Sequence, residues 1–257
     1  MADLLLKDLT HLGLITAFAL VALVMWLSTK ISKYLTKGRV HGSAIAIAIV
    51  IGLILAWVGG TMTGGQKGLT DIALFSGVGL MGGAMLRDFT IVATAFEVQA
   101  TEAKKAGFIG AFSLFLGTIL PFIVGCCFAW IFGYRDAVSI TTIGAGAVTY
   151  IVGPVTGAAI GASSDVMALS IATGLVKAIC VMVTTPMTAK FMGLDNPRSA
   201  MIFGGLAGTV SGVSAGLAAT DRRLVPYGAL TATFHTGLGC LMGPSVLFLI
   251  VKMLVGS

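Results

Sequence analysis

The chain has 257 residues, of which 57% are hydrophobic and only 10% charged, with a mean hydropathy of +1.02. A soluble domain needs about 25% charged residues to clothe its surface, so this composition excludes one and specifies an all-α polytopic membrane protein. Lys and Arg number 16 against 10 Asp and Glu, a net +6, but the basic residues stand at the ends of apolar runs, where they orient a chain in a bilayer and do not signal nucleic acid.

A span needs about 20 mostly apolar residues to cross roughly 30 Å of hydrocarbon. On that ruler roughly eight segments qualify, near 11–29, 43–62, 72–96, 106–132, 137–161, 165–189, 200–219 and 225–251. The first lacks the basic start and small-residue cleavage site of a secretory signal and reads as a retained span. Plain apolar runs such as Ser43–Trp57 suit a scaffold, so residues 1–62 read as a scaffold part and 72–257 as the part that binds substrate. Connections are short, and the whole chain forms one transmembrane domain.

Later segments are interrupted. Residues 77–89 read GVGLMGGAMLRDF, residues 144–154 end at Gly153–Pro154, and residues 237–244 end at Gly243–Pro244. Pro removes a backbone donor and clashes with the preceding turn, so a helix is expected to break just before each Gly-Pro pair. The two pairs are 90 residues apart, and Asp71–Ser76 is echoed by Asp165–Ser170. Together they suggest an internal repeat with two or more broken helices, the pattern that marks a secondary transporter's binding site.

Loop charges give only a weak orientation. If every segment crosses fully, the clusters at Lys30–Arg39, Lys104–Lys105 and Arg222–Arg223 share one side, which is then cytoplasmic. Lys7, Lys67, Arg135, Lys190, Arg198 and Lys252 fall opposite, and a single re-entrant segment would redistribute them.

Charges inside apolar segments mark function, because a Lys, Arg or Asp at a helix centre costs about 2.5–3.5 kcal/mol. Arg87 either pairs with its neighbour Asp88 or offers its guanidinium fork to a substrate carboxylate. Lys177 sits mid-segment with no acid within a turn, so a bound anion or a distant carboxylate must compensate it. His235 fits a satisfied core or pore-lining imidazole as well as it fits a ligand or proton carrier. A broken helix strands backbone N–H groups and a positive dipole end in the membrane, a natural carboxylate site. Thr149, Tyr150, Gly153, Pro154 and Thr156 at the first break, and Thr236, Gly243, Pro244 and Ser245 at the second, are therefore the substrate-binding candidates beside Arg87, Lys177 and His235. Unwound carbonyls suit a hard cation, and Gly146, Val152, Asp165 and Gly239 are the sodium candidates. Four cysteines in apolar stretches have neither metal nor disulfide spacing. There is no Walker loop, HExxH or GxSxG motif, so neither an enzyme nor an ATP-driven pump is expected.

The stretches GVGLMGGAMLRDF (77–89), TTIGAGAVTYIVGPVTGAAIGASSD (141–165) and VPYGALTATFHTGLGCLMGP (225–244) resemble the MadM family, the larger membrane subunit of the bacterial malonate:sodium symporter. The resemblance implies a multi-pass protein of the bacterial inner membrane, working with a small hydrophobic MadL-like subunit, with sodium as coupling ion and no other cofactor. A higher oligomer is compatible with it. Malonate is mostly a dianion near neutral pH, and moving two charges through 100 mV costs about 4.6 kcal/mol, which cation co-transport would offset. A passive small-anion channel and the membrane subunit of a decarboxylase-driven sodium pump are the alternative readings.

Overall fold

The computed structural model describes residues 13–35, 37, 45 and 100–256, and the described residues contain helices and no strands. Two units are compact in themselves, residues 1–93 and 94–257. Within the first, helix α1 (Gly13–Leu35) is a span-length apolar helix with Lys33 in its last turn. Apart from residue 45, the expected segments near 43–62 and 72–96, with Arg87, Asp88 and the Asp71–Ser76 echo, lie outside the described residues.

The second unit is built on three long helices. α2 (Ala100–Ile131) is bent where Gly107 adopts φ 52 and ψ −147, and runs on through Pro121. α5 (Ser164–Thr188) starts at the N-cap of Ser163. α8 (Val225–Met242) continues through a π-helical turn, Gly243–Leu247, into α9 (Phe248–Val255). With α1, the apolar stretches Gly107–Ile131, Ser164–Thr188 and Arg222–Val255 are the four described helices long and apolar enough to cross a membrane.

The segments 137–161 and 200–219 do not form single spans. The first resolves into α3 (Ala137–Val148) and α4 (Val152–Ile160), the second into α6 (Pro197–Ala207) and α7 (Val210–Ala218). Of the two Gly-Pro pairs, only the first lies at a helix end. Thr149 is extended at the end of α3, and Pro154 sits in the first turn of α4, where a missing N–H leaves no bond unmade. The expected break before Pro244 does not form. There the helix widens into the π turn and carries on, which accommodates the lost donor without ending the rod.

Close backbone approaches show how the short helices lie. A Cβ placed on Gly157 would stand 2.8 Å from Thr142 Cγ2, and one on Gly153 2.8 Å from Gly146 Cα. Thus α4 runs back along α3, and the pair is a helical hairpin with its tip at Thr149–Tyr150. The second pair also folds back. Gly228 of α8 meets Val213 and Leu217 of α7 and lies near Ala200 of α6, whereas Gly208, between the two, abuts His235 further along α8. Its tip is Gly208–Thr209, and α8 fits between its legs.

The hairpins enter from opposite ends. Along α5, Ser170 packs on Gly146 and Gly153, Gly174 on Tyr150 at the first tip, Ala178 on Gly212 near the second, and Thr185 on Gly216. Along α8, His235 meets the second tip, Gly239 meets Val148 and Val152, and Gly243 meets Thr156. Each hairpin carries its own core. Phe122, Ile140, Ile143, Val152, Val166 and Leu247 bury the first, and Leu194, Met201, Val213, Leu217, Leu224 and Tyr227 the second. Small residues let these backbones approach closely, as helix packing in a bilayer demands.

Candidate functional site

Both hairpin tips lie beside the middle of α5. At the first, α3 ends and leaves its last carbonyls without helical partners. Lys177 Nζ donates to one of them, Val148 O, at 2.6 Å. The ammonium thus caps the negative end of a half-helix and keeps donors to spare, because Lys carries three. The start of α4 faces the same place, with Val152 N and Gly153 N both returning to Thr149 O. A cleft of about 750 Å³ opens between α2 and α5 and is walled by Leu120, Phe128, Ile143 and Val176, with Lys177 its only charged lining residue. Those walls are apolar, so its one place for a carboxylate is the Lys177 end.

At the second tip, Gly208 has φ +65, and a methyl group on it would run into the imidazole of His235. His235 is fully buried, and its ring nitrogens are directed at backbone, short of full hydrogen-bond geometry. The backbone of Gly208 and of Gly117 on α2 faces this ring, close enough to Lys177 for its charge to reach it. Thr209 is fully buried too, and its hydroxyl has no partner. It stands at the start of α7 without capping it.

The sequence-derived candidates divide accordingly. Thr149, Tyr150, Gly153 and Pro154 form or adjoin the first tip, with Lys177 against it. Thr156 is buried against Gly243 with its hydroxyl unpaired. His235 belongs to the second tip, not to the Gly243–Pro244 turn it precedes. Thr236 turns its hydroxyl back to Ala232 O at 3.0 Å, and exposed Ser245 does the same to Leu241 O. Pro244 lies within an unbroken helix. Of the sodium candidates, Val152 and Gly239 touch, Gly146 lies under Ser170, and Asp165 is exposed in the first turn of α5, apart from the rest.

Gly208 and Thr209 went unnoticed in the sequence, and so did the second hairpin. A signal for them exists. Asp136 and Ser139 at the start of α3 recur as the Asn196–Ser199 capping box of α6, and Thr149 recurs as Thr209, each 60 residues later. The glycines Gly133 and Gly193, both at positive φ, keep the same spacing.

The family described as the malonate/sodium symporter MadM subunit matches residues 5–255. The match covers nearly the whole chain, so the chain belongs to this family of membrane transport subunits. No curated protein and no solved structure matches it.

Proposed function

We propose that this MadM-family chain carries malonate, or a closely related small dicarboxylate, across the bacterial inner membrane by sodium symport, in complex with a small MadL-like membrane subunit. The observation that carries the reading is the pair of helix ends halfway along α5, two opposed hairpin tips with a lysine on one of them. Re-entrant backbone at membrane depth is tolerated only where protein or a water-filled cavity satisfies it, and such discontinuities are where secondary transporters bind their cargo. The units α2–α3–α4 and α5–α6–α7 then form an inverted repeat, each a spanning helix followed by a hairpin. Substrate reaches the tips from one face when one hairpin withdraws, and from the other face when its counterpart does.

The first tip supplies the anion pole of this site. One substrate carboxylate takes a free donor of Lys177, while Thr149 and Tyr150 beside it offer hydroxyls. A dianion moving inward against the membrane potential needs compensating positive charge, and sodium supplies it.

Uptake of labelled malonate into proteoliposomes holding both subunits tests the reading. Accumulation is expected to follow an imposed sodium gradient, and Lys177→Met to lower uptake by roughly tenfold or more, the loss of one charge-assisted bond. Undiminished uptake by Lys177→Met removes the lysine from the site. Equilibration without accumulation converts the carrier into a passive pore.

A further inference from the structure

We propose that the cleft between α2 and α5 is the specificity pocket of the anion site, admitting malonates that carry an apolar branch on their central carbon. The proposal deepens the symport reading and rests on its placement of a carboxylate at Lys177. Residues four apart lie on one face of a helix, and two such rows wall the cleft. Leu120, Val124 and Phe128 form the row on α2, and Leu169, Thr173 and Lys177 the row on α5. The floor lies where α2 meets α3. A Cβ on Gly125 would stand 2.6 Å from Ala147 Cβ and 2.9 Å from Gly144 Cα, an approach that only small residues permit. Small groups on the floor between large ones on the walls leave a space of about 750 Å³, within the range of roughly 300–1,000 Å³ for a ligand pocket.

Malonate alone leaves these walls unused. Its single methylene separates two carboxylates, and a carboxylate against Leu120 or Phe128 would lose its hydration without gaining a partner. Thr173 offers none, because its hydroxyl already donates to Leu169 O at 2.9 Å. Lys177, held at the end of α3 by Val148 O, is where the polar tip and the apolar cleft meet. A dicarboxylate therefore keeps both charges at the tip, beside Lys177, Thr149 and Tyr150, and turns the substituent of its central carbon into the cleft. This orientation separates two ways of enlarging the ligand. A methylene added between the carboxylates pushes one charge toward the apolar walls, whereas the same methylene added as a branch is buried against them. Succinate and methylmalonate have the same atoms and the same two charges, as have glutarate and ethylmalonate. Each isomer pair differs only in where the methylene sits.

Inhibition of labelled malonate uptake tests the pocket, in proteoliposomes holding both subunits under a sodium gradient. From methylmalonate to butylmalonate the concentration for half-inhibition is expected to fall by roughly two- to fourfold per methylene, competitively with malonate. Succinate and glutarate should inhibit roughly tenfold more weakly than their branched isomers. Val124→Trp, which fills the cleft from the α2 row, should abolish the gain with branch length and leave the KM for malonate unchanged. Half-inhibition that stays flat across the branched series, or linear isomers as potent as branched ones, overturns the pocket in the wild type without any variant. A gain with branch length that survives in Val124→Trp places the branch elsewhere and also overturns it. Lys177→Met keeps the two readings apart. Impaired malonate uptake in that variant beside a flat series overturns the pocket alone, and undiminished uptake overturns the anion site and the pocket with it.

Discussion

Gly208 shows how much one hydrogen atom decides at a hairpin tip. Its φ of +65 is the left-handed turn that ends α6, and its open side is filled by the His235 ring. An alanine there meets two obstacles, a left-handed backbone that costs roughly 1–2 kcal/mol and an overpacked contact that costs about 1–3 more. Gly208→Ala is therefore expected to lower the thermal unfolding midpoint of the purified protein. Truncating the ring as well, in Gly208→Ala with His235→Ala, should recover the packing part of the loss but not the backbone part. A double variant no more stable than Gly208→Ala alone would show that the imidazole is not what fills the space. Gly174 is constrained differently. Its neighbour is the Tyr150 backbone, which is far less able to yield than a side chain, so Gly174→Ala should displace the first tip and abolish uptake. Lys177 and His235 could be picked out in the sequence because an ionisable side chain in an apolar run is conspicuous. Gly208 and Thr209 could not, since both are ordinary residues of a bilayer helix until the chain is seen to reverse between them.

Among the elements, hydropathy located the long helices well. The expected segments 106–132 and 165–189 correspond closely to Gly107–Ile131 and Ser164–Thr188. It was silent on direction, because a run of about 20 apolar residues has the same hydropathy whether it crosses or folds back on itself. Capping residues carry the missing information. Asn196 accepts from Ser199 N at 2.9 Å while Ser199 Oγ accepts from Asn196 N, a firm start for a helix of only 11 residues. Asn196→Ala should cost about 1 kcal/mol, read as a lower unfolding midpoint, and loosen the second hairpin at its base. Proline proved an ambiguous marker. Pro154 stands in a first turn, and Pro244 in a π turn of a continuing helix. Pro244 lies away from both tips, so Pro244→Ala is expected to keep wild-type malonate uptake. A loss of uptake comparable to that of Lys177→Met would restore this turn to the binding site.

At the scale of the whole second unit, the two hairpins change which charges lie together. Had every segment crossed, Lys190 and Arg198 would have opposed Arg222 and Arg223, and the charge bias would have been weak. Because α6 and α7 return to the end they start from, the basic residues at 190, 198, 222 and 223 all lie at the same end of α5. Lys104 and Lys105 precede the bend in α2 at that end as well. Only Arg135 and Lys252 mark the opposite end of the described unit. Basic residues in short loops remain on the cytoplasmic side, so the base of the second hairpin is expected in the cytoplasm and that of the first outside. The bare charge difference of the linear sequence was too small to show this, since it depends on knowing where the chain doubles back. Single cysteines at Gly193 and Gly161, both at positive φ in exposed turns outside the helices, give a direct test after the four native cysteines are replaced. In intact cells a membrane-impermeant maleimide should label Gly161→Cys and leave Gly193→Cys untouched until the membrane is opened. Labelling of both from outside would place the two hairpin bases on one face, and two hairpins entering from one face cannot meet tip to tip halfway along α5.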